Sequence, residues 1–148
     1  MEAHAAQCVV RNSPLLLDPG QGMPIFTGAE LAELIERSAY VAVNDYEAKL
    51  LSERTGWSIA DIADRVDAMI VTLGAEGSII HAGGATHAIP AVHPSAVVDP
   101  TGCGDAYRAG LLYGIAAGWD WQRTGSLASV RGVIKIACRG GQNRVVDR

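Results

Sequence analysis

Asp99-Pro100-Thr101-Gly102-Cys103-Gly104-Asp105 is the stretch of this chain whose residue types and spacing best suit chemistry. It lies between an extended segment and an apolar run that reads as a helix over Ala106 to Ala117. Glycines let a backbone approach a ligand closely. The first turn of a helix adds amide N–H groups without intrahelical partners and the positive end of the helix dipole. Gly102, Cys103, Gly104 and Asp105 can therefore aim successive amides at an anion such as a transferring phosphoryl group. The dipole favours ionised Asp105, and that carboxylate can accept a hydroxyl proton as attack proceeds. Phosphoryl transfer needs mainly positioning and charge neutralisation, so one base and a nest of amides form a sufficient core. Taken alone, G-x-G-D reads better as a cap and a turn; the rest of the sequence has to decide.

Rival chemistries are weaker. Cys103 sits where a helix start lowers a thiol pKa, but no His is adjacent in sequence to act as its base, so it reads as a backbone position of the anion loop. His81, His87 and His93 recur at even spacing in an extended region. One strand rarely supplies three metal ligands, so the structural reading is preferred. No G-x-x-x-x-G-K-[ST] is present, which excludes a P-loop. No G-x-G-x-x-G opens the first helix, which disfavours a dinucleotide oxidoreductase.

The elements that must position this loop alternate in type. Leu15 to Asp18 reads as a buried strand ended by Pro19-Gly20. Thr27-Gly28-Ala29-Glu30 has the capping-box form and opens a helix through about Ser38, with Leu31, Leu34 and Ile35 on one face. Tyr40 to Asn44 is a second strand. Glu47 to Arg54 is a helix closed by Gly56, and Ser58 caps another with Ile59, Ile62, Ala63 and Val66 on one face. Met69 to Leu73 is a third strand, Gly74 to Gly77 a turn, and Ser78 to His81 starts a fourth. Ala85 to Val98 looks extended, restricted by Pro90 and Pro94 to edge or irregular pairing. Ala106 to Ala117 is apolar nearly all round and so should be buried. Gln122 to Cys138 is predicted as the last helix, with Leu127, Val130, Ile134 and Ala137 inward. Strands as continuous apolar runs between helices predict an α/β sheet with parallel strands, covered on both faces.

Composition narrows the classes. Hydrophobic residues are 49% and charged residues 19% of the 148, which is globular usage and argues against disorder. The net charge is -4 with no Lys/Arg cluster, so no nucleic-acid partner is expected. Cys8, Cys103 and Cys138 are scattered with no C-x-x-C, which favours free thiols in a reducing compartment. The N-terminus lacks a signal-peptide pattern, and no apolar run is long enough for a membrane span. A cytoplasmic protein without a membrane partner is the expectation. The chain opens on what reads as the tail of a helix and runs straight into a core strand, which suggests part of a domain.

Asp99 to Gly110, DPTGCGDAYRAG, closely resembles the C-terminal signature of the ribokinase-like (PfkB) carbohydrate kinases. Other segments agree in order. Asn44-Asp45-Tyr46-Glu47 resembles the family's N-x-x-E motif, Val71 to Gly77 its T-x-G-x-x-G nucleotide loop, and Gly140-Gly141-Gln142-Asn143 its closing glycine-rich segment. The wording is most similar to adenosine-kinase-like members, although Arg144 stands where that pattern often has His. The resemblance implies a ribokinase-like three-layer α/β/α fold with a mostly parallel sheet. It covers only the C-terminal, nucleotide-binding and catalytic part of that fold, over residues 1–148. The N-terminal half, which brings the substrate residues and a small β lid, is not matched.

The same resemblance implies roles. Asp105 is the catalytic base; Gly102, Cys103 and Gly104 form the anion hole. Asn44, Thr72, Gly74, Gly77 and Ser129 belong to the ATP site. Glu47 acts on Mg2+ through water, which suits a hard cation that keeps several waters. Asp99 and Thr101, with carbonyls near Arg139 and Gly141, fall where many members hold a monovalent cation such as K+. The implied reaction moves the γ-phosphoryl group of ATP to a primary hydroxyl of a small molecule, a nucleoside or sugar. Adenosine is the first choice, and ribose or another sugar the alternative. A non-catalytic nucleotide-binding fragment is the rival from another class. Weak activity and self-association are expected of the chain by itself, because a missing half would leave an apolar sheet edge uncovered.

Overall fold

Short apolar runs separated by capped helices fold here into a five-stranded sheet of order β1-β2-β3-β4-β5. The computed structural model describes residues 13–94 and 96–140. The chain divides into two compact units, Met1–Gly74 with Ile79–His87, and Ala75–Ser78 with Ala88–Arg148.

In the first unit, β1 (Leu16–Leu17), β2 (Tyr40–Asn44) and β3 (Ala68–Thr72) run parallel, with Leu16 beside Tyr40, Tyr40 beside Ala68 and Asn44 beside Thr72. Parallel strands need crossovers, and helices supply them. These are α1 (Gly28–Glu36), α2 (Asp45–Thr55) and the short α3 (Ile59–Ala63). Each starts on a reciprocal capping box: Thr27 with Glu30, Asn44 with Glu47, and Ser58 with Asp61. Gly56, at φ +73, ends α2 in the left-handed conformation that glycine adopts without strain. Leu31 and Ile35 of α1, Leu51 of α2 and Ile62 of α3 are fully buried with Val41 and Met69 of the strands. Truncating one such side chain, as in Leu51→Ala, is worth about 2–5 kcal/mol. β4 (Ser78–Ala82) and β5 (Ala85–Ile89) are joined by Gly83-Gly84, both at positive φ, a two-residue link that only antiparallel strands can use. The sheet is therefore mixed.

Several sequence expectations shift at their edges. The first strand contracts to two residues, and a 3-10 helix over Gly20–Ile25 follows it and buries Met23. Val66 lies beyond the end of α3 but still packs on the core. The extended stretch pairs only through Ile89, because Pro90 has no N–H to continue a ladder. The helix tail expected before Asn12 and the segment after Gly140, with Gly141, Gln142, Asn143 and Arg144, lie outside the described residues. No helix among the described residues is long and apolar enough to cross a membrane.

In the second unit, α4 (Cys103–Ala116) and α5 (Trp121–Ile136) form an antiparallel pair. Small residues set their approach. A Cβ added to Gly110 would come within 2.6 Å of Ala128 Cα, and one on Gly114 within 2.6 Å of Thr124 Oγ1. This close seam corrects two expectations. The inward stripe of α5 is Thr124, Ala128, Ser129 and Lys135, whereas Val130, Ile134 and Ala137 are exposed and Leu127 is half-buried. On α4, Tyr107 and Leu111 are buried but Leu112 and Tyr113 are exposed, so that helix is not buried all round. Apolar periodicity marks where large side chains lie; a helix seam built on backbone proximity selects the smallest ones instead.

Candidate active site

One group of candidate residues lies in the first unit, at the carboxyl ends of its parallel strands. Asn44 ends β2 and Thr72 ends β3, and the register sets them side by side. In open α/β sheets ligands bind beyond this edge of the strands. Thr72 Oγ1 donates to Val43 O at 3.4 Å. Asn44 Oδ1 accepts the Glu47 amide at 2.7 Å, and Glu47 Oε2 accepts the Asn44 amide at 2.9 Å. The N-x-x-E motif is thus a capping box in its local geometry. Glu47 is half-buried, and its Oε1 has no hydrogen-bond partner among the described residues. One carboxylate oxygen fixed by backbone and one open is a donor set that suits water-mediated contact with Mg2+. Gly74, at φ +58, is exposed, and a Cβ there would meet nothing within 4 Å, so its backbone is open to a ligand.

A second group lies in the second unit. Gly77, at φ +100, is buried, and a Cβ there would overlap the Ile89 carbonyl oxygen. Packing alone demands glycine at that position. The next residue, Ser78, shares a 2.7 Å hydrogen bond with the buried hydroxyl of Tyr107, which ties this turn to α4. Ser129 is buried on the contact face of α5.

The start of α4 differs from that of every other α-helix described. Its N-cap is Gly102, at φ +79, with no side-chain cap. The Cys103 amide is taken by Pro100 O at 3.1 Å, which narrows the nest expected from successive amides. The amides of Gly102, Gly104 and Asp105 have no hydrogen-bond partner among the described residues. Asp105 lies in the first turn with its side chain 88% exposed, 3.8 Å from Arg108 Nη1. The Arg108 head rests beside Gly104, where an added Cβ would meet it. Cys103 is half-buried, and that burial pushes its thiol pKa up, which argues against a nucleophile.

The loop before this helix is held from the far end of α5. The Val98 and Asp99 amides donate to Ile136 O at 2.9 and 3.1 Å. Asp99 Oδ1 accepts the Thr101 amide and Oδ2 the Gly140 amide, both at 2.9 Å. Those amides, Gly140 foremost, hold the Asp99 carboxyl down to about 2, with Lys135 a smaller contributor. Lys135 Nζ donates to Asp99 O at 3.0 Å and to Cys138 O at 3.3 Å. Sequence reading passed over Lys135. The signal was there: Thr124, Ala128 and Gly132 recur at helical spacing on the seam, and Lys135 continues that stripe with a charge.

The residues expected to hold a monovalent cation fit a free ion poorly. Both Asp99 carboxylate oxygens and its carbonyl already have donors, and Gly141 lies outside the described residues. His81, His87 and His93 do not gather, and no metal-binding cluster of His, Cys, Asp and Glu occurs among the described residues. His81 Nδ1 instead shares a hydrogen bond with Thr86 Oγ1 at 3.1 Å.

Residues 3–148 match the sequence profile of the pfkB family carbohydrate kinases. The chain is 34% identical over 143 residues to a nucleoside kinase of Methanocaldococcus jannaschii, covering 93% of this chain and 47% of that one. It is also similar to a nucleoside kinase of Burkholderia thailandensis whose structure was solved in complex with inosine. The two share 51% identity with a TM-score of 0.92, over 95% of this chain and 47% of that one. The same kinase has been solved in complex with ADP-inosine. An adenosine kinase of Sinorhizobium meliloti is 26% identical with a TM-score of 0.82, over 95% of this chain and 45% of that one. The chain spans about half the length of the curated relatives it matches.

Proposed function

The chain belongs to the pfkB family of carbohydrate kinases, and on that premise we propose that it carries the phosphoryl-transfer machinery of an ATP-dependent nucleoside kinase. The observation that carries this reading is the start of α4. The helices α1, α2, α3 and α5 each begin on a side-chain cap, from Thr27, Asn44, Ser58 and Asp120. Among the described α-helices, α4 alone starts without a side-chain cap, and it presents an exposed carboxylate beside its open amides. An α-helix start left open where four other α-helices are capped by side chains is suited to an anion.

In this mechanism Asp105 accepts the proton of the acceptor hydroxyl as its oxygen forms a bond to the γ-phosphorus of ATP. The bond from that phosphorus to the β,γ-bridging oxygen breaks, and ADP leaves. The amides of Gly102, Gly104 and Asp105 hold the charge on the transferring group, with Cys103 shaping the turn. Asn44, Thr72, Gly74, Gly77 and Ser129 serve the nucleotide. Glu47 would hold Mg2+ through water at its open oxygen; the ion, when bound, neutralises phosphate charge.

The acceptor is a nucleoside. Inosine stands ahead of adenosine, because the relative solved with inosine is 51% identical and the adenosine kinase 26%. A sugar acceptor follows. Residues corresponding to the unmatched half of the relatives would supply the acceptor pocket and complete the three-layer fold, so the chain alone should bind ATP and turn over weakly or not at all. The test is a chimera in which these 148 residues replace the matching half of the Burkholderia kinase. Coupled ADP release with inosine, adenosine and ribose should show turnover, best with a nucleoside. A folded chimera that binds ATP and transfers no phosphate would defeat the reading.

A further inference from the structure

Lys135 is a charge in an unusual place. Its residue is 8% exposed, and lysine is almost never so buried without a partner of opposite charge. Among the described residues it makes no ion pair within 4 Å. Its partners are two backbone carbonyls, Asp99 O at 3.0 Å and Cys138 O at 3.3 Å. The Cys138 bond is ordinary capping of a helix C-terminus by a nearby lysine. The Asp99 bond is not, since it crosses 36 residues to the loop that leads into α4. Burying an ammonium is costly, and an apolar residue would fill this seam more cheaply. A role specific to the charge is what keeps it there.

An ammonium is a compact point charge with no acceptor capacity, and ringed by carbonyls it is chemically close to a dehydrated monovalent cation. We infer that Lys135 is a tethered cation that positions the Asp99–Asp105 anion loop, so that this site needs no free K+ or Na+. The surrounding bonds agree. Ile136 O, one residue on, accepts the Val98 and Asp99 amides, and Gly140 N donates to Asp99 Oδ2. The end of α5 thus grips the loop through its amides, its carboxylate and, through Lys135, its carbonyl. Lys135 is a positioning residue: it touches the loop, and the loop touches the anion.

The inference has one arm that does not depend on the kinase reading and one that rests on it. In the first, the 148-residue chain is melted at fixed ionic strength in tetramethylammonium chloride, which is too large for a carbonyl cage, and then in KCl or NH4Cl. The wild type should melt at the same temperature in all three. Lys135→Ala should melt lower in tetramethylammonium and recover saturably in K+ or NH4+, by about 4 °C. A saturable rise of the wild type in K+, or a Lys135→Ala variant indifferent to K+, overturns the inference. Should the variant fail to fold in any salt, thallium(I) NMR of the wild type decides: no bound ion sustains the tethered cation, and a saturable bound ion overturns it. In the second arm the chimera carries the substitution. Its rate should fall at least about tenfold in tetramethylammonium, as for a misplaced catalytic element, and return with K+ or NH4+; Asp105→Asn should not recover. A chimera without turnover counts against the kinase reading and leaves the melting result standing.

Discussion

Two helix starts in this chain carry motifs of similar length and opposite construction. Asn44 and Glu47 close the start of α2 on itself, each side chain bonded to the other's amide. Gly102 to Asp105 leave the start of α4 open, and what holds that loop comes from α5, more than thirty residues on. The first is a local device that would form in any context. The second is the proposed anion site, and a distant segment holds the loop before it. The difference separates stability from chemistry. At α2 the polar side chains satisfy the helix and one carboxylate oxygen is left over. At α4 the helix itself is left unsatisfied, and its open amides are the proposed functional groups.

The contrast can be broken from either side. The largest effect is expected at the open start: Asp105→Asn in the chimera should lower kcat about a hundredfold or more while ATP affinity holds, as for loss of a general base. Near-normal steady-state turnover would remove Asp105 from the mechanism. Gly104→Val comes next. The atoms its side chain meets are the mobile end of Arg108, so circular dichroism should report a folded protein, while phosphoryl transfer is lost with the close approach of the backbone. Full activity in that variant would place the open amides elsewhere.

The closed start should respond differently. Glu47→Gln preserves the capping-box geometry, because glutamine accepts the same amide bond. Urea unfolding should then shift by less than about 0.5 kcal/mol, while the chimera's rate falls and its Mg2+ requirement rises. An unchanged Mg2+ titration would reduce the N-x-x-E motif to its cap. Asn44→Ala, by contrast, should cost about 1 kcal/mol of stability as a lost cap.

The smallest effect concerns pH. The Asp99 carboxyl is held down to about 2 in the fold, against an ordinary value of about 3.9. A depressed folded pKa gives a stabilisation that is fully present above the unfolded value and lost as pH falls through the folded one. The Asp99 contribution should therefore be constant above about pH 4 and disappear on acidification toward about pH 2. Melting temperatures across that window should fall less steeply for Asp99→Asn than for the wild type; parallel curves would mean that the Gly140 and Thr101 amides are not holding the carboxylate.

Much of the first unit was legible because its signals are local. Thr27-x-x-Glu30, Asn44-x-x-Glu47 and Ser58-x-x-Asp61 mark helix starts within four residues, and Tyr40 to Asn44 is apolar over the length of one strand. The wording from Asp99 to Gly110 also identified the family, since few chemistries need those glycines and that aspartate together. What sequence left hidden was decided by contacts between distant residues. The seam of α4 and α5 is chosen by how closely Gly110 and Gly114 let two backbones approach, not by apolar periodicity, so the expected inward face of α5 was the wrong one. At Gly77 the fold itself requires glycine, because the Ile89 carbonyl leaves no room for a Cβ. Lys135 reads in sequence as one more helix charge. Only the fold brings the Asp99 carbonyl to within 3.0 Å of its ammonium and so gives it the proposed role of supporting the anion loop. Local propensities specify elements; which polar groups are buried, and against what, is settled by packing, because a charge takes its meaning from the partners that replace its water.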